Sequence, residues 1–432
     1  MIQDDATQTL TQAAGLRRDP PVPGVVVVFT AGVGPQLRGK AAAQPVVMGR
    51  SDEADLVLDD PKVSRRHAQV EATEGGVLVE DRGSHNGVFV DGVRIPTARA
   101  MAPVGATLRV GNSLLRVVAD AVPYEHFAEP NDELVGGPAL AAMRQVIRQV
   151  APSEVPVMVI GESGVGKELV ARSIHSQSGR AGMLVAVNCA ALPSELIEAE
   201  LFGHARGAFS GAGEARPGLA RSAAGGTLML DEIGEMPVQV QPKLLRVLET
   251  GLVRPVGQDT NVPVDFRLVS ATNTELDSAI KEGSFRSDLY HRIAGLIIEA
   301  PPLRAHAEDI PKLLQHFLAA DGHGTLQPSV EAVERLLAWH WPGNVRELRN
   351  VARSARVRLG GDELIRVHHL PKELHEVHAN APADDLRARL EAVLAETAGN
   401  VSEAARRLKM RRQGLYDQLQ RLHIDPRAFR KR

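Results

Sequence analysis

The chain has 432 residues, of which 24% are charged, a formal net charge of −3 and one cysteine. This length corresponds to about three domains of ~150 residues, and no apolar run approaches the roughly 20 residues of a membrane-spanning helix. One cysteine excludes an intramolecular disulfide and suits a reducing compartment, so we expect a cytoplasmic protein with no membrane partner.

The charge is distributed unevenly along the chain. Residues 401–432 contain ten Lys or Arg and three Asp or Glu, a local charge of +7, which leaves −10 for the remainder. A small basic module on an acidic body predicts a polyanionic partner at the C-terminal end only.

The N-terminal part predicts a small β domain. Residues 1–21 are polar and are expected to form a flexible leader. Residues 22–118 contain short β-prone runs separated by turn formers, and Asp91-Gly92 is a strong signal for a two-residue hairpin turn. This spacing predicts an all-β sandwich, followed by a linker at 119–132.

The central part predicts a doubly wound α/β unit over residues 133–300. Short apolar runs alternate with segments of helical spacing, as expected for buried parallel strands joined by helices. The predicted strands lie near 155–160, 184–188, 227–230 and 266–270.

The remainder of the chain predicts helices. Pro301-Pro302 ends the α/β unit, and helical spacing from Ile310 to about Leu370 predicts a helical segment over residues 301–375. A polar Ala/Pro stretch at 376–383 is the next expected linker, and residues 384–432 predict three helices.

A Gly-rich segment after the first α/β strand predicts a phosphate site. It stands between an apolar strand and a helix, the context in which backbone N–H groups converge on phosphate oxygens. Lys167 would reach the β- and γ-phosphates, whereas Glu168 stands where a Ser or Thr usually contacts Mg²⁺. The alternative is a plain strand-to-helix turn. The segment reads Gly161, Glu162, Ser163, Gly164, Val165, Gly166, Lys167 and Glu168.

Two adjacent carboxylates end a later hydrophobic strand. In a phosphate-loop ATPase, Asp231 would bind Mg²⁺ and Glu232 would polarise the attacking water. A simple Asp-Glu turn is the alternative, but the upstream loop makes ATP hydrolysis the better interpretation.

Between these motifs lies a segment of small residues around one aromatic residue, Phe209. It suggests a mobile surface loop with an aromatic anchor, or else a loop whose Phe packs into the core. The segment resembles the GAFTGA loop of the sigma-54-dependent transcriptional activators, bacterial AAA+ ATPases, with Ser210 where Thr is usual. The resemblance implies that the loop contacts sigma-54 through Gly207, Ala208, Phe209, Ser210, Gly211 and Ala212.

The resemblance covers residues 133–375 and implies further roles, with ATP and Mg²⁺ as cofactors. Asn188 matches an Asn that couples the catalytic Glu to nucleotide state, and Asn273 matches a polar sensor. Arg286 and Arg292 match two arginine fingers for a neighbouring subunit, and Arg346 matches a lid sensor. An arginine supplied in trans implies a homo-oligomer, from a dimer to a hexameric ring.

Arginines, a hydroxyl and an amide stand on loops of the β domain, which suits a phosphate dianion. The four short elements concerned are Gly49-Arg50-Ser51, Ser64-Arg65-Arg66-His67, Gly83-Ser84-His85-Asn86-Gly87 and Asp91-Gly92. They resemble the forkhead-associated (FHA) domain, which binds phosphothreonine peptides. The resemblance implies phosphopeptide contacts from Arg50, Ser64, Arg65 and Asn86, and a loop-stabilising role for His67. The alternative is a dimerisation module that ignores phosphothreonine.

The C-terminal helices form a helix-turn-helix pattern that resembles the Fis-type domain. Its second helix would enter the major groove of enhancer DNA. The residues expected to face DNA are Arg411, Arg412, Gln413 and Gln418. The alternative is a helical dimerisation tail.

Together these features predict a multidomain protein: an FHA β-sandwich, an α/β AAA+ ATPase with a helical lid, and an all-α DNA-binding domain. The implied function is ATP-driven remodelling of sigma-54 RNA polymerase from the closed to the open complex, under control of a phosphothreonine signal. The alternative is a phosphopeptide-responsive DNA-binding regulator whose ATPase does not act on sigma-54.

Overall fold

The protein is described by a computed structural model. It describes residues 20–95, 99–128, 130, 133–191, 193–208, 213–273, 276–320, 326–375, 390, 393–395, 397, 399–407, 419, 424 and 426–429.

The β domain consists of two facing sheets, with strand orders β2-β1-β11-β10-β7-β8 and β4-β3-β5-β6-β9. The predicted sandwich is therefore present. The strands are β1 (Gly24–Thr30), β2 (Gly34–Ala41), β3 (Val46–Gly49), β4 (Leu56–Val57), β5 (Ala68–Thr73), β6 (Gly76–Asp81), β7 (Val88–Val90), β8 (Val93–Arg94), β9 (Ala100–Pro103), β10 (Thr107–Val110) and β11 (Ser113–Val118).

The predicted hairpin joins β7 to β8. Asp91 and Gly92 have φ angles of +47° and +78°, and Val90 pairs with Val93 across the turn. Positive φ at both central residues matches the right-handed twist of the flanking strands, which explains why Asp-Gly is favoured there.

Helix α1 (Val122–Glu125) lies inside the segment expected to be a linker. Its Tyr124 is only 5% exposed, and Ala121 before it is fully buried. The helix packs against β2 because Gly39 has no side chain; a Cβ there would lie 2.4 Å from Cβ of Tyr124. This short polar segment carries one aromatic anchor, which is too little for a periodic signal in the sequence.

The central unit is a parallel sheet of order β13-β14-β17-β12-β18, with helices on both faces. The predicted strands occur within two residues of their expected bounds. The elements are α2 (Ala141–Val150), β12 (Val157–Ile160), α3 (Lys167–Ser176), β13 (Leu184–Asn188), α4 (Ser194–Phe202), α5 (Leu219–Ser222), β14 (Thr227–Asp231), α6 (Gln241–Thr250), β15 (Leu252–Val253), β16 (Val262–Pro263), β17 (Arg267–Thr272), α7 (Leu276–Lys281), α8 (Ser287–Ile293) and β18 (Leu296–Glu299).

A helical lid follows the sheet. Trp341 is fully buried at its centre, and Ser329 caps α10 by accepting the Ala332 N–H at 3.2 Å. Its elements are α9 (Ile310–Ala320), β19 (Gln327–Pro328), α10 (Val330–Ala338), α11 (Asn344–Arg358) and β20 (Leu364–Ile365). Short 3₁₀ helices span Pro138–Leu140, Ile233–Glu235, Leu303–Asp309, Val367–His369, Lys372–Leu374 and Pro426–Phe429.

The described C-terminal residues contain helix α12 (Val401–Arg407). Asn400 accepts the Glu403 N–H at 3.2 Å, as expected for a residue that caps the helix N-terminus. Apolar residues of this part form one buried cluster, which includes Leu390, Leu394, Ala404, Ala405 and Leu419.

Candidate functional site

The Gly-rich segment turns sharply from β12 into α3. Gly164 and Gly166 have φ angles of +82° and +102°, a region where a Cβ is strained. Gly164 also lies against the lid, since a Cβ there would approach Gly343 O to 2.4 Å. Helix α3 begins at Lys167 directly after these glycines, and a helix N-terminus of this kind is a ready site for an anion.

The lysine and the two carboxylates lie together at the carboxyl ends of β12 and β14. Lys167 is 6% exposed; its Nζ donates to Gly161 O at 3.0 Å and lies 3.6 Å from Oε1 of Glu232. Partial burial, and then the charge of Glu232, raise the pKa of Asp231. Glu232 has a left-handed φ of +50°, which is strained for a non-glycine residue and common at functional sites.

Two predicted polar residues adjoin this centre. Asn188 pairs with Asp231 in the sheet register, and its Oδ1 accepts the N–H groups of Ala190 and Ala191 at 2.9 and 3.1 Å. The Asn273 N–H donates to Glu232 Oε2 at 3.3 Å. The structure therefore brings the expected coupling and sensor positions next to the carboxylates.

The lid covers the segment from the other side. Arg346 donates through Nη1 to Ser163 Oγ at 3.0 Å, as expected for a lid residue beside the phosphate loop. Sequence reasoning missed Asn344, whose Nδ2 donates to Glu162 Oε2 at 3.0 Å and to Ser163 O at 3.1 Å. It also missed Arg304, which forms a two-bond ion pair with Glu162.

A cavity of about 460 Å³ joins these elements. It is lined by residues 163–168 with Asp231, Glu232 and Arg346, and also by the apolar residues Leu134, Val135 and Leu140. Apolar wall residues together with a lysine and an arginine suit a nucleotide, and the volume lies in the usual range for small-molecule sites. The apolar wall has no sequence signal, because its residues precede the phosphate loop by about thirty positions.

The predicted arginine fingers lie outside this cavity. Both are exposed: Arg286 forms a two-bond ion pair with Asp288, at 3.0 and 2.7 Å, and Arg292 donates to Leu248 O at 2.7 Å. The structure therefore does not bring them to the nucleotide cavity of their own chain.

The predicted sigma-54 loop leaves the domain through a paired stem. His204 and Arg216 exchange two backbone hydrogen bonds of 3.0 Å. Gly207 and Ala208 are described, whereas Phe209, Ser210, Gly211 and Ala212 lie outside the described residues. The predicted DNA-facing residues, Arg411, Arg412, Gln413 and Gln418, lie outside them as well.

The predicted phosphopeptide residues meet on neighbouring loops of the β domain. The Arg50 N–H donates to Ser64 O at 3.0 Å, and the Ser51 N–H donates to Arg65 O at 3.2 Å. Gly49 allows this approach, because a Cβ would lie 2.0 Å from Arg65 O. Arg50 and Arg65 are exposed and Ser64 is half-buried, and the Ser64 hydroxyl accepts the His85 N–H at 3.2 Å.

Two polar residues hold these loops in place. His67 is fully buried; its Nδ1 accepts the Ser64 N–H at 3.0 Å and its Nε2 lies 3.1 Å from Gly87 O, as predicted for a loop-stabilising residue. Burial lowers the pKa of His67, which favours the neutral ring that accepts this bond. The Asn86 Nδ2 donates to Lys62 O at 2.7 Å, so this amide also serves the loop scaffold.

Four family models match the chain in order. They are the FHA domain over residues 46–111, the Sigma-54 interaction domain over 134–299, the AAA+ ATPase lid domain over 304–386 and the Bacterial regulatory protein, Fis family, over 387–422. Transcriptional regulatory protein GlrR of Escherichia coli is 36% identical over 400 residues, which cover 87% of this chain and 88% of that protein. The chain belongs to the sigma-54-dependent activator family.

Other comparisons agree with this membership. DNA-binding transcriptional regulator NtrC of Escherichia coli is 46% identical over 255 residues, 57% of this chain, and the match spans about half (54%) of its length. The crystal structure of NtrX from Brucella abortus in complex with ATP is 38% identical, covers 68% of this chain and 69% of its own, and has a TM-score of 0.52. The predicted family and fold class are confirmed. In the part of the chain that the structure describes, no helix has the length and apolar character needed to cross a membrane.

Proposed function

We propose that this member of the sigma-54-dependent activator family is an ATPase that remodels sigma-54 RNA polymerase from the closed to the open complex. The observation that carries the proposal is the cavity in which Lys167, Asp231 and Glu232 converge under a lid arginine, Arg346. Phosphoryl transfer needs this arrangement of one cation at the phosphates and carboxylates beside them. The ATP complex of the similar NtrX structure supports the choice of nucleotide.

The residues of the cavity have distinct roles in this proposal. Lys167 would leave Glu232 and bind the β- and γ-phosphates, which frees the Glu232 carboxylate to orient the attacking water. Asp231 supplies the carboxylate that would hold Mg²⁺; oxygen donors of this kind suit that ion. When bound, Mg²⁺ neutralises charge on the phosphate oxygens during transfer. Arg346, already at the phosphate loop, would tie the lid position to nucleotide state.

The exposed arginines support an oligomeric enzyme. Arg286 and Arg292 lie outside the cavity of their own chain, so we propose that they act on a neighbouring subunit, where an arginine in trans can accelerate transfer by about 10³-fold or more. We therefore expect a ring whose specific ATPase activity rises steeply with protein concentration. A specific activity that stays constant from dilute monomer upward would contradict this part of the proposal.

In this proposal the N-terminal β domain regulates the ATPase and the C-terminal domain binds it to DNA. Arg50, Arg65 and the Ser64 hydroxyl form a surface suited to the dianion of a phosphothreonine, and charge-assisted bonds to arginine are the strong ones. The Fis-type segment would anchor the ring to enhancer DNA. The surface loop from Gly207 to Ala212 would contact sigma-54.

Measuring whether sigma-54 binding depends on the nucleotide distinguishes this function from that of a regulator that does not act on sigma-54. Purified full-length protein is mixed with sigma-54 in the presence of ATP, ADP or ADP–aluminium fluoride, which mimics the transferring phosphate. We expect a complex only with the transition-state mimic, lost in Phe209→Ala and retained in Arg50→Ala. Robust ATPase activity without any such complex would favour the DNA-bound phosphopeptide switch that does not act on sigma-54.

A further inference from the structure

The β domain and the lid share one hydrophobic core. Strand β1 is buried along its whole length because its alternate residues face two cores: Val25 and Val27 face the sandwich, and Val26 and Val28 face the lid. Strand β11 shows the same alternation: Leu115 faces the sandwich and Leu114 faces the lid. The outer face of this sheet is thus covered by helices α9 and α10 of the same chain.

A buried polar network crosses the same interface. The Tyr124 hydroxyl donates to Glu308, and the Gly137 N–H donates to Asp309 Oδ1 at 2.7 Å. The second oxygen of Asp309 lies 2.9 Å from Nδ1 of His306. Tyr124 and the three lid residues, His306, Glu308 and Asp309, are each less than 9% exposed. His306 also lines the nucleotide cavity, so the contiguous residues 306–309 reach from the Tyr124 hydroxyl of α1 to the cavity wall.

The loops that carry Arg50, Ser64 and Arg65, here the phosphate-reading loops, are hydrogen-bonded to strand β11 of the shared core through Asp60. Asp60 accepts the Lys62 N–H at 2.9 Å, and its other oxygen accepts the Asn112 N–H at 2.5 Å and the Ser113 hydroxyl at 3.3 Å. Ser113 begins β11, and the next residue, Leu114, packs in the core shared with the lid. The loop that carries Ser64 and Arg65 is therefore fixed to a strand that contacts the lid.

An ion pair closes the rim of the interface. Arg109 of β10 lies 3.5 Å from Glu334 of α10, and its guanidinium stacks 4.1 Å above the Phe89 ring. The shared apolar core, the buried hydrogen bonds and the ion pair together hold the β domain against the lid, so the two are not merely joined by a linker.

We propose that this interface couples the phosphate-reading loops to the nucleotide cavity. In this proposal the Tyr124–Glu308 hydrogen bond transmits the change between the β domain and the lid. The inference rests on the proposed function of both sites. Since the lid carries Arg346 and the cavity wall carries His306, a shift of the β domain changes the nucleotide site. Coupling of this kind is reciprocal, so each ligand changes the affinity for the other by the same factor.

Affinities measured in the full-length protein test this coupling. The probes are a fluorescent ATP analogue and a peptide mixture with one fixed phosphothreonine, together with its unphosphorylated twin. We expect the saturating phosphopeptide to change the nucleotide Kd by about fivefold or more, the lower end for allosteric pairs. Tyr124→Phe keeps the packed ring and removes only the hydroxyl, and should reduce the change below about twofold while both ligands still bind. Tyr290→Phe, the same substitution on α8, should leave the coupling intact.

Hydrogen exchange gives a second measurement that needs no phosphopeptide. Nucleotide should alter amide protection over residues 49–66 in the wild type and in Tyr290→Phe, but not in Tyr124→Phe. A phosphopeptide that binds without changing the nucleotide Kd, together with unaltered protection, would overturn the coupling. A peptide mixture that fails to bind while nucleotide still alters these loops would overturn the phosphothreonine function and support the coupling.

Discussion

Asn344 gives a sharp test of how the lid holds the phosphate loop. It is fully buried and has a left-handed φ of +52°. Its Nδ2 donates to Glu162 and Ser163, and its Oδ1 accepts the Leu303 N–H at 2.9 Å. The side chain therefore joins the phosphate loop, the start of the lid and helix α11 at one point.

The expected cost of Asn344→Ala follows from these contacts. Leaving the buried Leu303 N–H without an acceptor costs about 1–3 kcal/mol. Alanine in a left-handed conformation costs about 1–2 kcal/mol more, whereas Asn is tolerated there. The sum is about 2–5 kcal/mol, which an m value of about 2 kcal/mol/M converts into a midpoint shift of about 1–2.5 M urea. Asn344→Gly removes the bonds but accepts the backbone angle, so its loss should be about 1–2 kcal/mol smaller.

Tryptophan fluorescence during urea unfolding measures this effect on the lid. The chain has two tryptophans, Trp339 and Trp341, and both donate hydrogen bonds within the lid. The signal therefore reports lid unfolding rather than unfolding of the β domain. An Asn344→Ala midpoint within about 0.2 M of wild type would refute the hydrogen-bond account, and equal midpoints for the Ala and Gly variants would refute the backbone account.

Other predictions address the remaining parts of the structure. Arg50→Ala should abolish binding of phosphothreonine peptides in calorimetry and leave basal ATPase activity unchanged; equal wild-type affinity for phosphorylated and unphosphorylated peptides would contradict the site. Arg292→Ala and Lys167→Ala should each be nearly inactive, but their mixture should regain ATPase activity if the arginine acts in trans, and no recovery would place it in cis. Burial, and then Asp309, raise the pKa of Glu308 above its ordinary value of 4.5, so the folded protein binds this proton more tightly than the unfolded chain. Wild-type stability should therefore fall as pH rises from 4.5 through the raised pKa, and Glu308→Gln should remove this part of the pH dependence of the melting temperature.

Features that depend on local sequence could be predicted. The phosphate loop is contiguous between one strand and one helix, and Asp231-Glu232 directly follows its strand, so order along the chain is sufficient to place them. The Asp91-Gly92 hairpin is likewise determined by two neighbouring residues. The paired carboxylates and the turn therefore occur where the sequence predicts them.

Features that depend on long-range contacts could not be predicted in the same way. Asn344 meets Glu162 across 182 positions, and Tyr124 meets Glu308 across 184. Single polar residues at such separations have no periodicity. Strand β1 did contain a usable signal, since an uninterrupted apolar run is unusual for a sandwich with one solvated face and indicates burial on both faces. That signal predicts a covering element but not its identity.

The most direct test of the central claim is open-complex formation by sigma-54 RNA polymerase on a promoter probe melted at the start site. The assay uses purified full-length protein and hydrolysable ATP, with Lys167→Ala and Glu232→Ala as matched variants. We expect ATP-dependent opening by the wild type and loss of this opening in both variants. Robust ATP hydrolysis by the wild type with no opening of the promoter would contradict the central claim.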